Sequence, residues 1–341
     1  MSIVIGLDAH STHCEFAVYK ANRNLLECKR IETSEEQLIN YVRRFTGNKV
    51  LIYEESTLSQ WLYGIFLPYF DDIIIAEPYR NYLIHKTDQK SDSEDPRKLA
   101  TLYFNNSLTR VYHTDNSIVE LKRLVLQYHS FTKHQVRIKN QINAKYRENG
   151  IFLKRNKDNN YTIDEYETHI NNYRIASASR AIIKNLIEFL RDVEKRSELI
   201  ERLMKKYSKK YEVIKRFKEI PGVGDITAIT FFSIIITPDR FQSKEKLWTY
   251  CKLGIATKES GGKVLGQQLT RRGNSLLKCV ARQSAEVNIS RLNTCFTRMY
   301  NRLISRGLNP SLARITVARK IVSTMYFMWL KNVKFDPKYI N

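Results

Sequence analysis

Two aspartates in residues 90–100 have a spacing that would let their side chains act together. Asp92 and Asp95 are three residues apart, and Leu99 follows Asp95 by four. Residues three and four apart share a face of a helix, so two carboxylates and an apolar anchor would line one side of its first turn. Two explanations are open. The pair is either an acidic helix start favoured by the helix dipole, or half of a divalent-metal site that needs carboxylates from elsewhere.

Two upstream acids end predicted strands and could complete such a site. Asp8 ends the apolar run at 3–8, and Glu54 ends the run at 50–54. Glu55 follows directly, and strand alternation points neighbouring side chains to opposite faces, so only one of the two glutamates can face the site. Taken singly, Asp8 is equally explained as a turn residue and Glu54 as a satisfied edge carboxylate. Hard oxygen ligands suit Mg²⁺ or Mn²⁺, so we expect Asp8, Glu54, Asp92 and Asp95 to form one metal site.

The order of the predicted elements indicates an α/β fold for this part of the chain. Strands are predicted at 3–8, 15–19 and 25–31, followed by a helix at 34–45, a strand at 50–54, a helix at 59–69 and a strand at 72–76. This is the element order of the ribonuclease H architecture, which has three antiparallel strands, then alternating helix and strand, and then a helix that carries carboxylates. In that architecture acids at strand ends and on one helix meet around metal ions.

Charge is distributed unevenly along the 341 residues. Residues 1–100 carry 12 Lys and Arg against 15 Asp and Glu, whereas residues 101–341 carry 45 against 20. An acidic lobe followed by a strongly basic body favours a carboxylate module joined to a polyanion-binding platform, and nucleic acid is the expected polyanion. No run of 18 apolar residues predicts a membrane span, and the start of the chain does not resemble a signal peptide. The five cysteines show no CxxC spacing, which argues against a zinc site and fits a reducing cytosol.

Long helices are predicted in the middle of the chain. Residues 116–149 and 176–218 carry apolar residues near heptad spacing and are separated by a polar break at 156–162. This pattern is typical of an antiparallel coiled coil. The pair is either a structural arm or an arm used for dimerisation and for gripping nucleic acid. Its predicted apolar stripe in the second helix comprises Ile182, Leu186, Phe189, Leu190, Val193, Leu199, Ile200, Leu203 and Ile214.

Two glycine-containing segments follow and could contact phosphate. The turn Ile220-Pro-Gly-Val-Gly224 precedes an apolar helix predicted at 226–236, as in helix-hairpin-helix motifs. Gly222 and Gly224 could therefore let the backbone approach a phosphate. The alternative is that these residues form a tight turn between two helices. Residues 254–266 are predicted as a glycine-rich loop that contains Ser260. A serine hydroxyl attacks phosphorus if the phosphate is held and neutralised, and a polar hinge is the alternative. The basic residues available for neutralisation are Lys258, Lys263, Arg271 and Arg272.

Together these motifs resemble the DEDD-type transposases of bacterial and archaeal insertion sequences, whose members act as bridge-RNA-guided recombinases. The resemblance covers nearly the whole chain and rests on Gly6-Leu-Asp8, Tyr53-Glu54 with Leu62-Tyr63 and Pro78, Lys90-Ser-Asp92-x-x-Asp95-x-x-Lys-Leu-Ala100, Ile220-Pro-Gly-Val-Gly224, Glu259-Ser260-Gly-Gly-Lys263 and Arg271-Arg-Gly-Asn274. Two positions depart from the family pattern: Pro96 replaces a small helix former, and Ser56-Thr-Leu-Ser59 replaces the glycines that follow the glutamate. Neither departure removes a chemical group.

The resemblance implies a specific organisation and mechanism. It implies three domains, namely a RuvC-like carboxylate domain at 1–112, a helical coiled-coil arm at 113–218 and a mainly helical transposase domain at 219–341. It also implies that Ser260 is the nucleophile and that a structured RNA reads the DNA sequences by base pairing. We expect a homodimer or tetramer in a prokaryotic cytoplasm, with the serine and the carboxylates meeting within one subunit or across two. Two alternatives are a metal-dependent nuclease or junction resolvase that uses water, and a non-enzymatic nucleic-acid-binding scaffold.

Overall fold

The computed structural model describes residues 2–78, 95–114, 118–153, 161–260 and 263–340, with the backbone alone for 257–260, 263–267 and 339. Asp92 and the glycines at 261 and 262 lie outside the described residues. The chain divides into two compact units, Met1–Asn116 and Ser117–Asn341. The predicted division of the second unit at residue 218 stays a prediction.

The first unit is built on a mixed six-stranded sheet. Its strands are β1 (Ile3–Ala9), β2 (His13–Lys20), β3 (Leu25–Glu32), β4 (Lys49–Glu54), β5 (Asp72–Ala76) and β6 (Arg110–Val111). They lie in the order β3-β2-β1-β4-β5-β6. The β1–β2 and β2–β3 pairs are antiparallel, β1–β4 and β4–β5 are parallel, and β6 is antiparallel to β5. This α/β arrangement is consistent with the ribonuclease H-like order predicted from the sequence.

Helices cover both faces of that sheet. On one face, β1 and β4 bury side chains in a cluster that includes Leu38 and Val42 of α1 (Glu35–Arg43) and Leu62 and Phe66 of α2 (Ser59–Phe66). On the other face, a second cluster joins the sheet to Leu99 of α3 (Asp95–Phe104). The alternation of apolar residues in β1 and β4 produces this two-sided burial, because successive side chains of a strand point to opposite faces.

The second unit begins with two long helices that pack antiparallel. They are α4 (Ile118–Glu148) and α6 (Ser177–Ser208), and between them lies α5 (Ile163–Asn172). The direction follows from the contacts, because Ile142 packs in one cluster with Ile187, whereas Val125 packs in another with Met204. Helix α5 was not predicted; Thr162 and Glu165 form the capping box that starts it.

The buried face of α6 differs in part from the predicted stripe. Ile182, Phe189 and Leu199 are 46%, 53% and 52% exposed, whereas the neighbouring Ile183 and Ile187 are buried. Helix α6 also ends at Ser208, and a separate helix α7 (Glu212–Phe217) follows. The prediction of one helix over 176–218 with its apolar stripe was therefore wrong in these particulars. Apolar residues occupy two faces of this helix, so spacing alone does not tell which face packs.

The remainder of the second unit is mainly helical. It contains α8 (Asp225–Ile235), α9 (Lys244–Tyr250), α10 (Ser275–Ser290), α11 (Cys295–Ser305) and α12 (Pro310–Lys331). A large apolar cluster joins these helices to the ends of α4 and α6. None of the helices in the described residues is both long enough and apolar enough to cross a membrane.

The segment predicted as a glycine-rich loop is mostly extended. Strands β7 (Ile255–Ser260) and β8 (Lys263–Leu269) form an antiparallel pair in which Ile255 lies opposite Leu269 and Ser260 lies opposite Lys263. The prediction of a loop over 254–266 was wrong. The sequence did contain a signal, because a Gly-Gly pair between two potential strands is a common hairpin connection.

Candidate active site

The register between two parallel strands makes Asp8 and Glu54 neighbours. Leu7 of β1 pairs with Tyr53 of β4, and each of these residues is followed directly by one of the acids. Adjacent strands lie about 4.8 Å apart, and residues in register on parallel strands point to the same face. Asp8 and Glu54 therefore extend one row of the sheet at the carboxyl ends of the two strands.

The face on which the two acids lie follows from alternation. Leu7 and Tyr53 are fully buried beneath α1 and α2. Val4 and Ile52, an even number of residues from the acids, pack against Leu99 on the opposite face. Asp8 and Glu54 therefore lie on the α3 side of the sheet, where Asp95 is the first helical residue.

A close contact at Gly6 holds the start of α3 against β1. A Cβ atom added to Gly6 would lie 2.0 Å from the carbonyl oxygen of Pro96. Only a residue without a side chain allows the two backbones to come this close. Pro96 occupies the second position of the helix, where the missing N–H is tolerated, and it is buried. The glycine thereby brings Asp95, the residue before Pro96, to the end of the strand that carries Asp8.

The electrostatics of Glu54 place the three acids near one another. The pKa of the Glu54 carboxyl is raised, first by its partial burial and then by the negative charges of Asp95 and Asp8. Each of the other two acids has a cationic or ionisable neighbour: Asp8 Oδ2 lies 3.0 Å from His10 Nε2, and Asp95 Oδ1 lies 3.0 Å from Lys98 Nζ. Accumulated negative charge of this kind is a favourable environment for a divalent cation.

Glu55 has a different partner. Its carboxylate is hydrogen-bonded to His113 Nε2, and His113 Nδ1 lies 3.1 Å from the Gln60 side-chain oxygen. The Gln60 amide is fixed because its nitrogen donates to the Thr114 carbonyl oxygen at 2.8 Å. Of the two adjacent glutamates, the structure therefore places Glu54 with Asp8 and Asp95, and Glu55 in a histidine-centred network.

The carboxylates fit a hard cation by chemistry. Asp8, Glu54 and Asp95 offer only oxygen donors, which is the preference of Mg²⁺ and Mn²⁺. Within the described ranges, which omit Asp92, no group of three or more His, Cys, Asp or Glu residues is arranged to hold a metal ion. Three of the four predicted residues therefore lie at the same end of the sheet without a metal-binding arrangement among the described residues, and the assignment of metal ligands among them remains a proposal.

Ser260 occupies the last position of β7 in the second unit. It lies opposite Lys263 in the β7–β8 ladder, and Lys258 lies opposite Gly266, with an irregularity between Lys258 and Glu259. The predicted nucleophile is therefore carried at the distal end of a two-stranded ribbon. Arg271 and Arg272 are exposed and follow β8 in the chain.

The base of this ribbon is fixed to neighbouring helices. Thr270 N–H donates to the Gly254 carbonyl oxygen at 3.0 Å, and Asn274 N–H donates to the Tyr250 carbonyl oxygen at 2.6 Å. Gly273 has a φ of +122°, and an added Cβ would lie 2.5 Å from the same Tyr250 oxygen. The Asn274 side chain caps α10 by accepting hydrogen bonds from its first turn. These contacts set the direction in which the ribbon leaves the helical body.

The predicted phosphate-binding glycines have different surroundings. Gly222 has a φ of +76°, and an added Cβ would lie 2.2 Å from the side-chain nitrogen of Asn288. Asn288 is completely buried and donates to the carbonyl oxygens of Pro221 and Ser284 at 2.7 and 2.8 Å. Gly222 is therefore required for packing inside the protein. Gly224 precedes α8, and a Cβ there would meet open space.

Comparison with known families identifies the chain. A family model described as a transposase, of the DEDD type related to IS110, matches residues 5–148, which include the carboxylate unit. A second, the transposase model of the IS116/IS110/IS902 family, matches residues 214–301, which include the ribbon with Ser260. No curated protein gives a significant match. The chain is therefore a transposase, an enzyme that acts on DNA. It belongs to the DEDD-type insertion-sequence transposases.

Gly6 and Asn288 were not identified as important residues from the sequence. Gly6 belongs to the Gly6-Leu-Asp8 motif, but its contact with Pro96 joins residues 90 positions apart. A local sequence pattern does not predict a contact between residues so far apart in the chain. A buried asparagine in a helix between apolar residues is a weak signal, since helices also carry asparagine on exposed faces.

Proposed function

We propose that Asp8, Glu54, Asp92 and Asp95 bind Mg²⁺ or Mn²⁺ and that the transposase uses this site to hold the DNA phosphodiester at which it acts. The observation that carries this proposal is the convergence of Asp8, Glu54 and Asp95, with the Glu54 pKa raised by the other two acids. A divalent cation supplies Lewis-acid polarisation of the phosphodiester when bound. The carboxylates would hold the cation in position, and their negative charges attract it to the site.

Ser260 is proposed as the nucleophile. Its hydroxyl oxygen forms a bond to phosphorus and loses its proton, while the bond between phosphorus and the departing sugar oxygen breaks and that oxygen takes up a proton. The product is a phosphoserine ester, which conserves the phosphodiester, so attack by a sugar hydroxyl of a second strand rejoins DNA without ATP. Support comes from the resemblance of Glu259-Ser260-Gly-Gly-Lys263 to the family motif and from the position of Ser260 at the end of β7. Lys258, Lys263, Arg271 and Arg272 are proposed to neutralise the phosphate.

The recognition of DNA sequence is proposed to depend on a structured guide RNA. The family resemblance supports this, and so does the excess of 45 Lys and Arg over 20 Asp and Glu in residues 101–341, which suits contact with nucleic-acid backbones. Phosphate contact at Gly222 and Gly224 remains a prediction, as does assembly as a homodimer or tetramer.

A covalent trap tests the serine mechanism directly. Wild-type protein incubated with the element's DNA ends and its RNA is denatured during reaction, and covalently attached DNA is quantified. We expect an adduct that Ser260→Ala eliminates while DNA binding persists. Ser305 is an exposed serine at the end of α11, and Ser305→Ala serves as the control that should retain the adduct. An active preparation without any adduct would favour the resolvase-like alternative, in which water attacks.

Charge-neutral substitutions test the carboxylate site. Asp8→Asn and Asp95→Asn should abolish strand transfer and remove the Mn²⁺-induced rise in the thermal midpoint, whereas Glu35→Gln, at an exposed acid of α1, should change neither. Activity that is unchanged by both aspartate substitutions would contradict the proposal.

Digestion of the RNA before DNA is added tests RNA guidance. It should remove sequence-specific transfer, and unchanged transfer would contradict RNA guidance.

A further inference from the structure

A cluster of cations surrounds one tryptophan on the surface where α9 packs against α12. The Lys244 Nζ atom lies 5.9 Å from the centre of the Trp248 ring, and the Arg319 guanidinium carbon lies 5.8 Å from it. Trp248 Nε1 donates to Ser323 Oγ at 2.8 Å. Lys320 lies three residues before Ser323 on α12 and therefore shares the face of the helix that bonds the indole. The indole is thus held in place by a hydrogen bond while two cations flank it.

The cluster carries more positive charge than its neighbours balance. Arg319 Nε donates to the Leu253 carbonyl oxygen at 2.6 Å, which is a neutral acceptor. Among the residues that the structure describes, no carboxylate forms an ion pair with Arg319 or Lys320. Within the same described residues, the ion pair of Lys244 is a long contact of 3.9 Å with Glu245, and both of these side chains are 57% exposed. Exposed ion pairs of this kind contribute little.

The ionisation of these groups reflects the same imbalance. The pKa of Lys320 is lowered, first by burial and then by the positive charge of Lys244. Burial also lowers the pKa of Arg319. Like charges held together in a partly desolvated place cost free energy in the isolated protein. An anion placed between them would relieve that cost.

We infer that Lys244, Arg319 and Lys320 form a binding site for a backbone phosphate of duplex DNA, with Trp248 as the rigid surface on which the cations are arranged. The inference rests on the DNA-transposase function of the chain and adds a contact formed by α9 and α12, outside the ribbon that carries Ser260. A phosphodiester fits because it is a compact anion and the cluster offers only cationic donors. The cluster has no carboxylate that could accept a hydrogen bond from the edge of a base. Arg319 is fixed through Nε, which leaves its terminal nitrogens to donate.

The test measures how the affinity for duplex DNA depends on salt. Full-length protein is titrated with a short mixed-sequence duplex at several KCl concentrations, and log K is plotted against log salt. Loss of one phosphate contact reduces the slope by about 0.9, which corresponds to roughly eightfold weaker binding near 0.1 M salt. We expect that change for Lys320→Gln, with substantial recovery in Lys320→Arg.

Lys331→Gln provides the matched control. Lys331 is an exposed lysine on the same helix, and eleven residues of helix separate it from Lys320 by about 16 Å, which exceeds the Debye length at physiological salt. Its slope should stay at the wild-type value. The thermal midpoint of the free Lys320→Gln protein should equal or exceed that of wild type, because a repulsive contact is removed.

The outcomes separate this inference from the proposed mechanism. A wild-type slope for Lys320→Gln, an equal change in Lys331→Gln, or a change seen with RNA of the same length and not with DNA would each overturn the phosphate site. Failure of wild-type protein to bind any DNA would instead count against its function on DNA. Loss of the Ser260 adduct with an intact salt effect would leave this inference standing.

Discussion

Substitution of Gly6 by alanine should damage the candidate active site through the backbone. The new Cβ would lie 2.0 Å from the Pro96 carbonyl oxygen, and carbon–oxygen contacts in proteins are about 3.3 Å or longer. The start of α3 must therefore move away from β1 by about 1.3 Å. Backbone atoms on both sides make this movement expensive, and overpacking of this kind typically costs about 1–3 kcal/mol.

The expected effects are a lower stability and a larger loss of activity. In a unit of this size, an overpacking cost in that range lowers the thermal midpoint by about 5–15 °C. Displacement of Asp95 from the other acids should reduce strand transfer by about 100-fold, the usual consequence of a misplacement of 1 Å. The assays are thermal unfolding with and without Mn²⁺, and strand transfer at a temperature where both proteins are folded.

Gly64→Ala is the matched control for this experiment. Gly64 lies in the interior of α2, and an added Cβ would meet nothing within 4 Å. Alanine is the better helix former by about 1 kcal/mol, so this variant should be as stable as wild type or slightly more stable, with full activity. A Gly6→Ala protein that keeps the wild-type midpoint and the wild-type activity would refute the reasoning, because it would show that α3 shifts without cost and without disturbing Asp95.

Three further predictions concern other contacts. Glu54→Gln should abolish strand transfer while the metal-free thermal midpoint stays equal or rises, because a repulsive carboxylate is lost, whereas Glu55→Gln should retain transfer; the reverse pattern would assign the site to the other glutamate. Asn288→Ala removes buried hydrogen bonds and should lower the free energy of unfolding in urea by about 2–3 kcal/mol. Asn301→Ala, at an exposed position of α11, should change it little, and equal effects would contradict the role of burial. His129 is buried, and burial, with a smaller contribution from a nearby lysine, lowers its pKa, so the unfolded state binds the proton first. The contribution of His129 to stability should then fall below about pH 6.5, by at most about 1.4 kcal/mol per pH unit, and be constant above it. His129→Gln should lose that contribution, and an unchanged slope below about pH 6.5 would contradict the assignment.

The first unit was largely predictable because its information is local. The apolar run that ends in Glu54 predicted the end of β4 correctly, whereas β1 continues one residue beyond Asp8 to Ala9. The parallel register then makes the two acids neighbours. Alternation permits either strand phase, so the sequence pattern alone left Glu54 and Glu55 open, and Glu54 as a metal ligand stays a prediction. The distinction depends on His113, which is 58 residues away from Glu55.

The second unit was less predictable for identifiable reasons. Phe189 and Leu199 belong to the predicted stripe of α6, yet both are exposed. The buried face of α6 is the one that contacts α4 and α5, and the pattern within α6 does not reveal those contacts. The glycines of 254–266 predict a loop, whereas Val264 and Thr257 favour the extended structure that is found. Contacts such as Gly222 with Asn288 join distant residues and leave no periodic pattern.

The paired helices α4 and α6 are held by two separate apolar clusters, one near the ends that join the helical body and one near α5. Any change in the length of the pair must therefore keep the apolar faces of both clusters aligned. Removing seven residues from each helix takes out almost two turns, which shortens the pair by about 10 Å and rotates the far end by only about 20°. Removal of five residues would turn the apolar side chains outward. Natural or engineered relatives of different reach should consequently differ by heptads.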